Sequence, residues 1–464
     1  LDSLMRRGIW GRLQSTLPPV TPPAWTAALT GLNPGGFGFW DFTYRVGHSY
    51  DDFRLIHSRL VRADTVCSLL ARAGMRVGII GVPVSYPPVR IEGGFCVSCF
   101  LTPSTDRDYT YPPGLRGEVE SAGGPYIIDV SVVDRTYLEM EPELAVERAR
   151  RMDRQRFELL RHFWGRGSGQ GPPDFLMTVL MGTDRVAHLF YRYMDPSHPH
   201  HVPGSPYAGV IPEHYQLCDF LLGEALEAAG PDTVVVVMSD HGVQPLKGKL
   251  HLNEWLHREG YLRLERPPGS PTPLRNAGVD WSRTRAWASG YGGLIYVNLK
   301  GREPLGVVDT SELPGLLDEL AEKLGALVDE RGRPLRVRCY RGKGVFSGRF
   351  AGNAPDLVLS IDAMSWGTDD RVGHRGLTSP ASELGPEDGT HALQGFFAMA
   401  GPGVPALGEF SGATIYDIAP TLLHLAGVPV PTEMEGRVLV SEEDPYSAED
   451  EAEVMARLKS LYID

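Results

Sequence analysis

The chain has 464 residues, with 45 basic and 58 acidic side chains and a formal net charge of -13. Its content of 42% hydrophobic and 22% charged residues is typical of globular proteins and excludes a disordered chain or a coiled coil. The acidic balance argues against nucleic-acid polymers and anionic membranes as partners, and no apolar run approaches the roughly 18 residues of a membrane span.

Two helical patterns occupy the first thirty residues. The opening LDSLMRRGIWGRL has the spacing of a helix already under way, and without a Met or signal-like segment we expect a fragment that has lost its amino end. In the second pattern, Thr21 followed by Pro22 predicts a helix that Thr21 caps and that ends at Gly31. A hydroxyl at the positive end of a helix also suits a nucleophile for an anionic substrate, because the dipole favours an alkoxide there.

Four continuous apolar runs predict buried strands. They are Arg76–Val84, Phe175–Met181, Thr233–Ser239 and Gly395–Ala400. Helical patterns, such as those at 142–163, 215–229 and 415–426, lie between several of them. This alternation indicates an α/β fold whose mainly parallel sheet is sandwiched by helices. In such sheets the chemistry sits at the carboxyl ends of the strands.

Composition divides the chain into a core with two insertions. We expect 1–90 as the first part of the core, 91–172 as an insertion or cap, 173–261 as the core strands with metal ligands, 262–386 as a second insertion, 387–432 as the last part of the core, and 433–464 as an acidic, helical tail.

Polar residues follow two of the predicted strands directly. Asp184 and His188 are four residues apart, so one helical turn places both on the same face. The adjacent pair Asp240 and His241 follows a run of four valines, where burial without partners would be costly. Carboxylate and imidazole ligands favour zinc, manganese or iron over magnesium.

A third ligand must come from elsewhere in the chain. His391, in Asp388-Gly-Thr-His, stands just before the last apolar run and is the first candidate, with His374 as its rival. Other polar groups are given no role in the site. The loop histidines His198, His200 and His201 and the lysines Lys247 and Lys249 are expected to lie in solvated loops, and Glu213 and His214 to form the N-terminal turn of a helix.

Taken together, these motifs resemble the alkaline phosphatase superfamily, and within it the type I phosphodiesterase/nucleotide pyrophosphatase family. The resemblance rests on the order of PPVTPPAWTAALTG around Thr21, MGTDRVAH, MSDHG and DGTH, and on NPGGFGFWDF, YGGLIYVNLKGREPLG, NAPDLVLS and IYDIAPTLLHLAGVPVP between and after them.

The resemblance implies metal-dependent hydrolysis of phosphodiester or pyrophosphate bonds through a phosphothreonine intermediate on Thr21. It implies two divalent ions, most simply zinc, with manganese or iron as alternatives. One ion would be held by Asp184, His188 and His391. The other would be held by Asp240, His241 and the Thr21 oxygen, with one further Asp.

Two positions depart from the family pattern. The further Asp lies, in the family, in an Asp-Gly motif that ends the first strand, and no such motif is present here; Asp2 does not replace it. We therefore expect the first strand to be missing too. Ala24 stands where many relatives have an Asn that steadies the phosphoryl group, so we expect backbone N–H groups at the helix start to serve instead.

Two alternatives stay open. A phosphomonoesterase or phosphomutase of the same superfamily is one, although Thr in place of Ser and the lack of a neighbouring Arg favour diesters. A non-catalytic, ligand-binding member is the other, if the further Asp is truly absent. The expected partner is a small phosphate ester, for example a nucleotide. The five cysteines show no framework spacing, which favours a reducing, cytoplasmic location; the oligomeric state is not predicted.

Overall fold

The computed structural model describes residues 1–131, 140–165, 171–290, 292–380 and 387–440. Its α-helices are α1 (Asp2–Arg7), α2 (Thr21–Thr30), α3 (Pro34–Phe37), α4 (Val66–Arg72), α5 (Leu115–Gly123), α6 (Pro142–Trp164), α7 (Gly182–Met194), α8 (Val210–Ala229), α9 (Leu252–Arg258), α10 (Leu313–Gly325), α11 (Gly342–Val345) and α12 (Ile418–Leu425). Short 3-10 turns lie at Ser58–Leu60, Leu274–Asn276, Ala351–Asn353 and Ile415–Asp417.

The β-strands are mostly short. They are β1 (Ile9–Gln14), β2 (Thr43–Arg45), β3 (Phe53–Leu55), β4 (Val77–Ile80), β5 (Phe95–Val97), β6 (Thr110–Tyr111), β7 (Phe175–Thr178), β8 (Val235–Met238), β9 (Gly242–Pro245), β10 (Gly248–His251), β11 (Ala286–Ser289), β12 (Leu294–Val297), β13 (Val337–Arg341), β14 (Leu357–Ile361), β15 (Trp366–Asp369), β16 (Thr378–Ser379), β17 (Gly389–Ala392), β18 (Gln394–Ala400) and β19 (Gly408–Thr414).

The predicted α/β class is confirmed. All four apolar runs overlap strands, namely β4, β7, β8 and β18, and the three helical patterns overlap α6, α8 and α12, of which α8 begins five residues earlier than predicted. Most of these elements differ from their predicted bounds by a few residues; β7, for example, ends at Thr178, before the apolar residues Val179, Leu180 and Met181. No described helix has both the length and the apolarity that crossing a membrane requires.

The prediction of one long helix at the amino end is wrong. Helix α1 stops at Arg7, and the next residues form β1, with β18 on one side and β19 on the other. The strand buries Ile9 and Leu13 on the same face, which is a period of two rather than 3.6. At Gly11 an added side chain would begin 2.1 Å from the carbonyl oxygen of Phe410, so the close approach of two backbones selects glycine there.

Two four-stranded sheets frame the region where the candidate residues lie. The first has the order β19-β1-β18-β8, and the second has the order β6-β5-β4-β7. Pairing is parallel among β4, β5 and β7 and between β1 and β19, whereas β18 runs antiparallel to both of its neighbours. β7 and β8 each end where candidate ligands begin, so both strands point towards the same place.

A separate sheet, β11-β12-β14-β13, lies in the segment 262–386 and packs against α10. Its core includes the largest buried cluster of the described residues, with Trp287 and Leu320 almost fully buried. This layer carries none of the predicted ligands.

Candidate active site

Thr21 is the first residue of α2 rather than its cap. Val20 occupies the cap position, and the Thr21 side chain makes no capping hydrogen bond, contrary to the prediction. Its Oγ1 instead lies 3.3 Å from Nε2 of His241. The predicted end of the helix at Gly31 is confirmed, because that residue adopts a left-handed conformation with φ of 64°.

Most of the backbone N–H donors expected at the start of α2 are absent or already bonded. Pro22 and Pro23 have no N–H group, and the N–H of Ala24 donates to the carbonyl of Val20 at 3.0 Å. Only the N–H of Thr21 itself is left at this helix end. The fully buried Ala24 offers no polar side chain. Charge on a phosphoryl group would therefore have to be balanced by other groups.

The strand ends bring the predicted ligands together. Helix α7 begins directly after β7, and its first turns place Asp184 Oδ1 3.4 Å from Nε2 of His188. His391 lies in β17, which pairs with β9 so that His391 is opposite Val243, two residues after His241. This register places Nε2 of His391 3.4 Å from the same Asp184 oxygen.

The imidazole rings are held from behind by backbone carbonyls. Nδ1 of His241 lies 3.0 Å from the carbonyl oxygen of Gly242, and Nδ1 of His391 lies 2.7 Å from that of Pro19. Because a carbonyl only accepts, both Nδ1 atoms donate, which leaves Nε2 of a neutral ring with a lone pair. The two rings stack with centroids 3.5 Å apart, so both Nε2 atoms face the same small volume.

The donor set fits divalent cations. Oδ1 of Asp184 and Oδ2 of Asp240 are buried and have no hydrogen-bond partner among the described residues. Nε2 of His188 lies only 3.1 Å from Nε2 of His391. One ligand atom each from Asp184, His241 and His391 falls within 4.8 Å of the others. Buried carboxylate oxygens facing imidazole lone pairs are costly without a cation between them, and this chemistry suits zinc, manganese or iron.

The directions in which the pKa values of these residues are shifted also favour a cation at this site. Burial opposes ionisation of Asp184, but His188 outweighs it and holds the pKa of Asp184 well below its usual range. Burial, together with the charge of Asp184, raises the pKa of Asp240 well above its usual range. Burial, with the nearby His391, lowers the pKa of His241. Two close carboxylates that resist joint ionisation form a site that a cation relieves.

Arg185 is a site residue that the sequence did not single out. Its Nη1 lies 2.7 Å from Oδ2 of Asp184, while Nε and Nη2 bind the two oxygens of Asp129 at 2.9 and 2.8 Å. The guanidinium thus fixes one Asp184 oxygen and leaves the other facing the histidines. Because Asp129 is 56 residues away in the chain, no local pattern could reveal the pair.

Two side chains with no predicted role in the site are linked to it, the buried His214 and the half-buried Lys249. His214 is fully buried in the second turn of α8 and binds Asp153, whose carboxylate also accepts the N–H of Gly182 at the start of α7. Lys249 pairs at 2.6 Å with Glu387, which in turn lies 3.7 Å from Nδ1 of His188.

His198 is also buried, with 3% exposure, and its Nε2 lies 3.1 Å from the carbonyl oxygen of Asp388. Burial lowers its pKa to about 4. The prediction of a solvated loop is therefore wrong for His198, which supports the segment that carries His391. The rival ligand His374 lies in another cluster, stacked on His251 at 3.6 Å.

Thr21 and the ligand cluster line one end of a cavity of about 1220 Å³. Phe42, Phe100 and Arg185 line the same cavity, with the ring of Phe100 5.4 Å from the guanidinium carbon. The rest of its wall is mainly apolar and lies between β7 and β8. The cavity therefore has a polar region around Thr21 and a mainly apolar region along β7 and β8.

Several known proteins are similar to this chain in sequence or in fold. An extracellular sulfatase Sulf-1 homolog of Caenorhabditis elegans is 53% identical over 45 residues, which is 10% of this chain and 6% of that relative. Among solved structures, human ectonucleotide pyrophosphatase/phosphodiesterase 5 is similar with a TM-score of 0.50 at 13% identity, over 100% of this chain and 94% of that one. An inactive variant of the murine protein, in complex with AMP, has the same TM-score and identity, over 99% and 93%.

Phosphonoacetate hydrolase from Sinorhizobium meliloti 1021, in complex with phosphonoacetate, gives a TM-score of 0.54 at 16% identity, over 90% of this chain and 87% of that one. At these identities the structural likeness concerns the fold. The family model of type I phosphodiesterase/nucleotide pyrophosphatase matches residues 1–380. The chain therefore belongs to the type I phosphodiesterase/nucleotide pyrophosphatase family of the alkaline phosphatase superfamily, and is a hydrolase acting on phosphoric ester bonds.

Proposed function

We propose that the chain hydrolyses phosphodiester or pyrophosphate bonds with two divalent metal ions and with Thr21 as the nucleophile. Asp184, His188 and His391 would hold one ion, and Asp240, His241 and Thr21 would hold the other. The observation that carries this proposal is the convergence of unpartnered carboxylate oxygens and inward-facing Nε2 atoms beside Oγ1 of Thr21. Zinc is the simplest occupant, with manganese or iron as alternatives.

The bound ions would supply Lewis acidity and neutralise charge on the phosphoryl oxygens. Thr21 contributes the attacking oxygen at the positive end of α2, 3.3 Å from Nε2 of His241, and an ion bound at these two residues would favour loss of the hydroxyl proton. Attack in line forms the Thr21 O–P bond and breaks the bond to the first leaving group. The resulting phosphothreonine still carries the second ester group. Water then displaces Thr21, which releases a monoester and restores the hydroxyl.

The charges around Thr21 favour a diester over a monoester. Among the described residues that line the cavity, Arg185 is the single Lys or Arg side chain, and its guanidinium already binds Asp129 and Asp184. A diester carries one negative charge at phosphorus, whereas a monoester carries up to two at neutral pH. A site with no cationic side chain to spare therefore suits the diester.

We propose a small phosphate ester, such as a nucleotide, as substrate. Phe42 and Phe100 form an edge-to-face pair with centroids 6.3 Å apart on the wall of the cavity that holds Thr21. An organic group attached to the phosphate would meet these rings. The AMP complex of the structural neighbour supports the same class of ligand. Five free cysteines support a reducing, cytoplasmic location.

The test compares hydrolysis of bis-p-nitrophenyl phosphate and p-nitrophenyl phosphate by the protein loaded with zinc or manganese. Thr21→Ala is the variant, and Thr26→Ala is its matched control, since the Thr26 hydroxyl only binds the carbonyl of Pro22 in the same helix. We expect a diester preference that Thr21→Ala reduces by at least about a thousandfold and that Thr26→Ala leaves within a few-fold.

A monoester preference would move the chain to the phosphatase or mutase alternative. Bound metal without turnover of either compound would favour the non-catalytic alternative. Turnover near the unmutated rate in Thr21→Ala would remove Thr21 as the nucleophile.

A further inference from the structure

The rings of the three candidate histidine ligands are supported from behind in two different ways. Nδ1 of His241 and Nδ1 of His391 each donate to a backbone carbonyl oxygen, at 3.0 and 2.7 Å. Behind His188 the group is a carboxylate, because Oε1 of Glu387 lies 3.7 Å from its Nδ1. That separation is too long for a hydrogen bond and is typical of an ion pair, so Glu387 acts on the ring chiefly through its negative charge.

Main-chain contacts place Glu387 behind His188. The N–H of the next residue, Asp388, donates to the carbonyl oxygen of His188 at 2.7 Å. One residue further on, a side chain added at Gly389 would begin 2.5 Å from the carbonyl oxygen of Ala187, so this segment packs directly against the backbone of α7. The position of the carboxylate therefore follows from the backbone and not from a flexible side chain alone.

Lys249 holds the other oxygen of Glu387. Its Nζ lies 2.6 Å from Oε2, and the two side chains are only 14% and 12% exposed, so solvent screens the pair weakly. Lys249 lies in β10, the middle strand of the sheet β15-β10-β16, which fixes its backbone on both sides. With one oxygen bound to Lys249, the carboxylate stays charged and keeps its other oxygen turned towards His188.

We propose that Glu387 is a positioning residue whose charge orients the His188 ring and so strengthens binding of one ion, while Lys249 holds the carboxylate in place. This first ion is the one at Asp184, His188 and His391. A histidine that binds a metal through Nε2 carries its proton on Nδ1, and a carboxylate behind the ring stabilises that tautomer and makes the ring a stronger electron donor. The inference rests on the proposed function, since that assigns His188 as a ligand.

The alternative is that Lys249 and Glu387 form an ion pair that only stabilises the fold. Cobalt(II) separates the two possibilities, because it accepts the same carboxylate and imidazole ligands as zinc and its visible absorption reports on their geometry. The metal-free protein is titrated with cobalt against a chelator, which gives a dissociation constant for each ion. Thermal unfolding of the metal-free protein gives its Tm.

Glu387→Gln keeps the shape of the side chain and an oxygen for Lys249 but removes the charge. We expect it to weaken binding of the first ion about tenfold to a hundredfold, to leave the second ion within about threefold, and to shift the cobalt absorption of the first ion. Asp362→Asn is the matched control. Asp362 pairs with Lys247, two residues before Lys249, and its φ of 47° is one that Asn adopts readily. Both ions should bind to this variant as they bind to the unmutated protein.

The double variant Glu387→Gln/Lys249→Gln shows whether lost stability explains the result. Glu387→Gln alone leaves a half-buried ammonium group without its counter-charge, which lowers the Tm. Two glutamines can hydrogen-bond to each other, so the double variant should recover the Tm. It should still bind the first ion at least about fivefold more weakly than the unmutated protein, because the charge behind His188 is still missing.

Equal binding of the first ion by Glu387→Gln and by the unmutated protein would overturn the proposal. Equal weakening of both ions would also overturn it, since the effect would then not act through His188. Full recovery of affinity in the double variant would assign the loss to the unpaired Lys249 and overturn it as well. In all three cases the unmutated protein would still bind two ions and hydrolyse diesters, whereas a protein that binds no cobalt would contradict the proposed function and this inference with it.

Discussion

Two clusters in this molecule look alike by ring geometry, yet only one has the properties of a metal site. Each contains one Asp and two stacked histidines: Asp184, His241 and His391 in the first, and Asp369, His251 and His374 in the second. The stacked rings are 3.5 Å apart at 17° in the first and 3.6 Å apart at 17° in the second. Proximity and stacking therefore do not separate the two.

Hydrogen bonding does separate them. Arg371 binds both oxygens of Asp369, and Nε2 of His251 lies 3.0 Å from the hydroxyl of Ser379. One nitrogen there, on His374, lacks a hydrogen-bond partner among the described residues, but it faces Asp369 at 3.6 Å. In the first cluster Oδ1 of Asp184 faces Nε2 of His188 and of His391 at 3.4 Å but accepts no hydrogen bond, so its carboxylate, unlike that of Asp369, keeps one oxygen without a donor among the described residues. A satisfied cluster stabilises the fold, whereas an unsatisfied one is prepared for a cation.

Replacing the Asp of each cluster by Asn should give the largest difference between the two clusters in bound metal and turnover. Asp184→Asn should lose bound metal and more than about a hundredfold in turnover, since even residues that merely orient a ligand contribute tenfold to a hundredfold. Asp369→Asn should keep bound metal and turnover within about twofold of the unmutated protein, and its thermal stability should fall instead. Metal analysis, diester turnover and thermal unfolding of the two variants make the comparison. Equal loss of metal in both would remove the distinction drawn here.

A smaller effect on metal affinity is expected from replacing His198, which contacts the segment that carries His391. His198 binds the backbone of Asp388, three residues before His391, and Asp388 also pairs with Arg192. His198→Ala should weaken metal affinity about tenfold, because His391 is then less firmly placed. His424→Ala, at an exposed position of α12, is the control. If the two variants have the same metal affinity in a chelator titration, His198 does not position the ligand.

The second cluster should contribute to the stability of the protein against acid unfolding. Burial opposes ionisation of Asp369, but hydrogen bonds from Arg371 prevail and lower its pKa from 3.8 to about 2. A lowered pKa means that this carboxylate stabilises the fold above pH about 4 and loses that effect as pH falls towards about 2. Arg371→Gln should therefore lose about 1 kcal/mol at neutral pH, since the backbone N–H of residue 371 still binds Asp369 and solvent screens the partly exposed guanidinium, and it should unfold at higher pH in an acid titration.

The matched control is Arg375→Gln, which removes the same charge from an exposed side chain. Acid unfolding that is unchanged in Arg371→Gln, or changed equally in Arg375→Gln, would show that the Arg371–Asp369 pair does not support this part of the fold.

Short-range signals predicted most of the core. The valine run before Asp240 and the four-residue spacing of Asp184 and His188 were informative because each motif follows a strand that the sequence also predicts. The sequence predicts a helix in place of β1, because apolar residues recur at helical spacing over residues 1–13. The alternation typical of a strand begins only at Ile9. There the neighbouring strands, and not local propensity, decide the conformation.

Long-range pairs set the limit of what the sequence predicts. The contacts of His214 with Asp153, of Arg185 with Asp129 and of His198 with Asp388 join residues 61, 56 and 190 positions apart. Each of these side chains has a local environment typical of solvent exposure, and only the packing of α6, α7 and β17 buries it. The correct pairing of His391 rather than His374 with Asp184 was likewise indicated by the family resemblance and not by spacing.

The most direct test of Thr21 as the nucleophile is the stereochemical course at phosphorus. A phosphorothioate diester of known configuration is turned over in the presence of methanol, and phosphorus NMR assigns the configuration of the methyl ester product. Attack by Thr21 followed by displacement of Thr21 gives two inversions, so the account predicts net retention. Net inversion would mean a single displacement by solvent and would contradict the phosphothreonine intermediate.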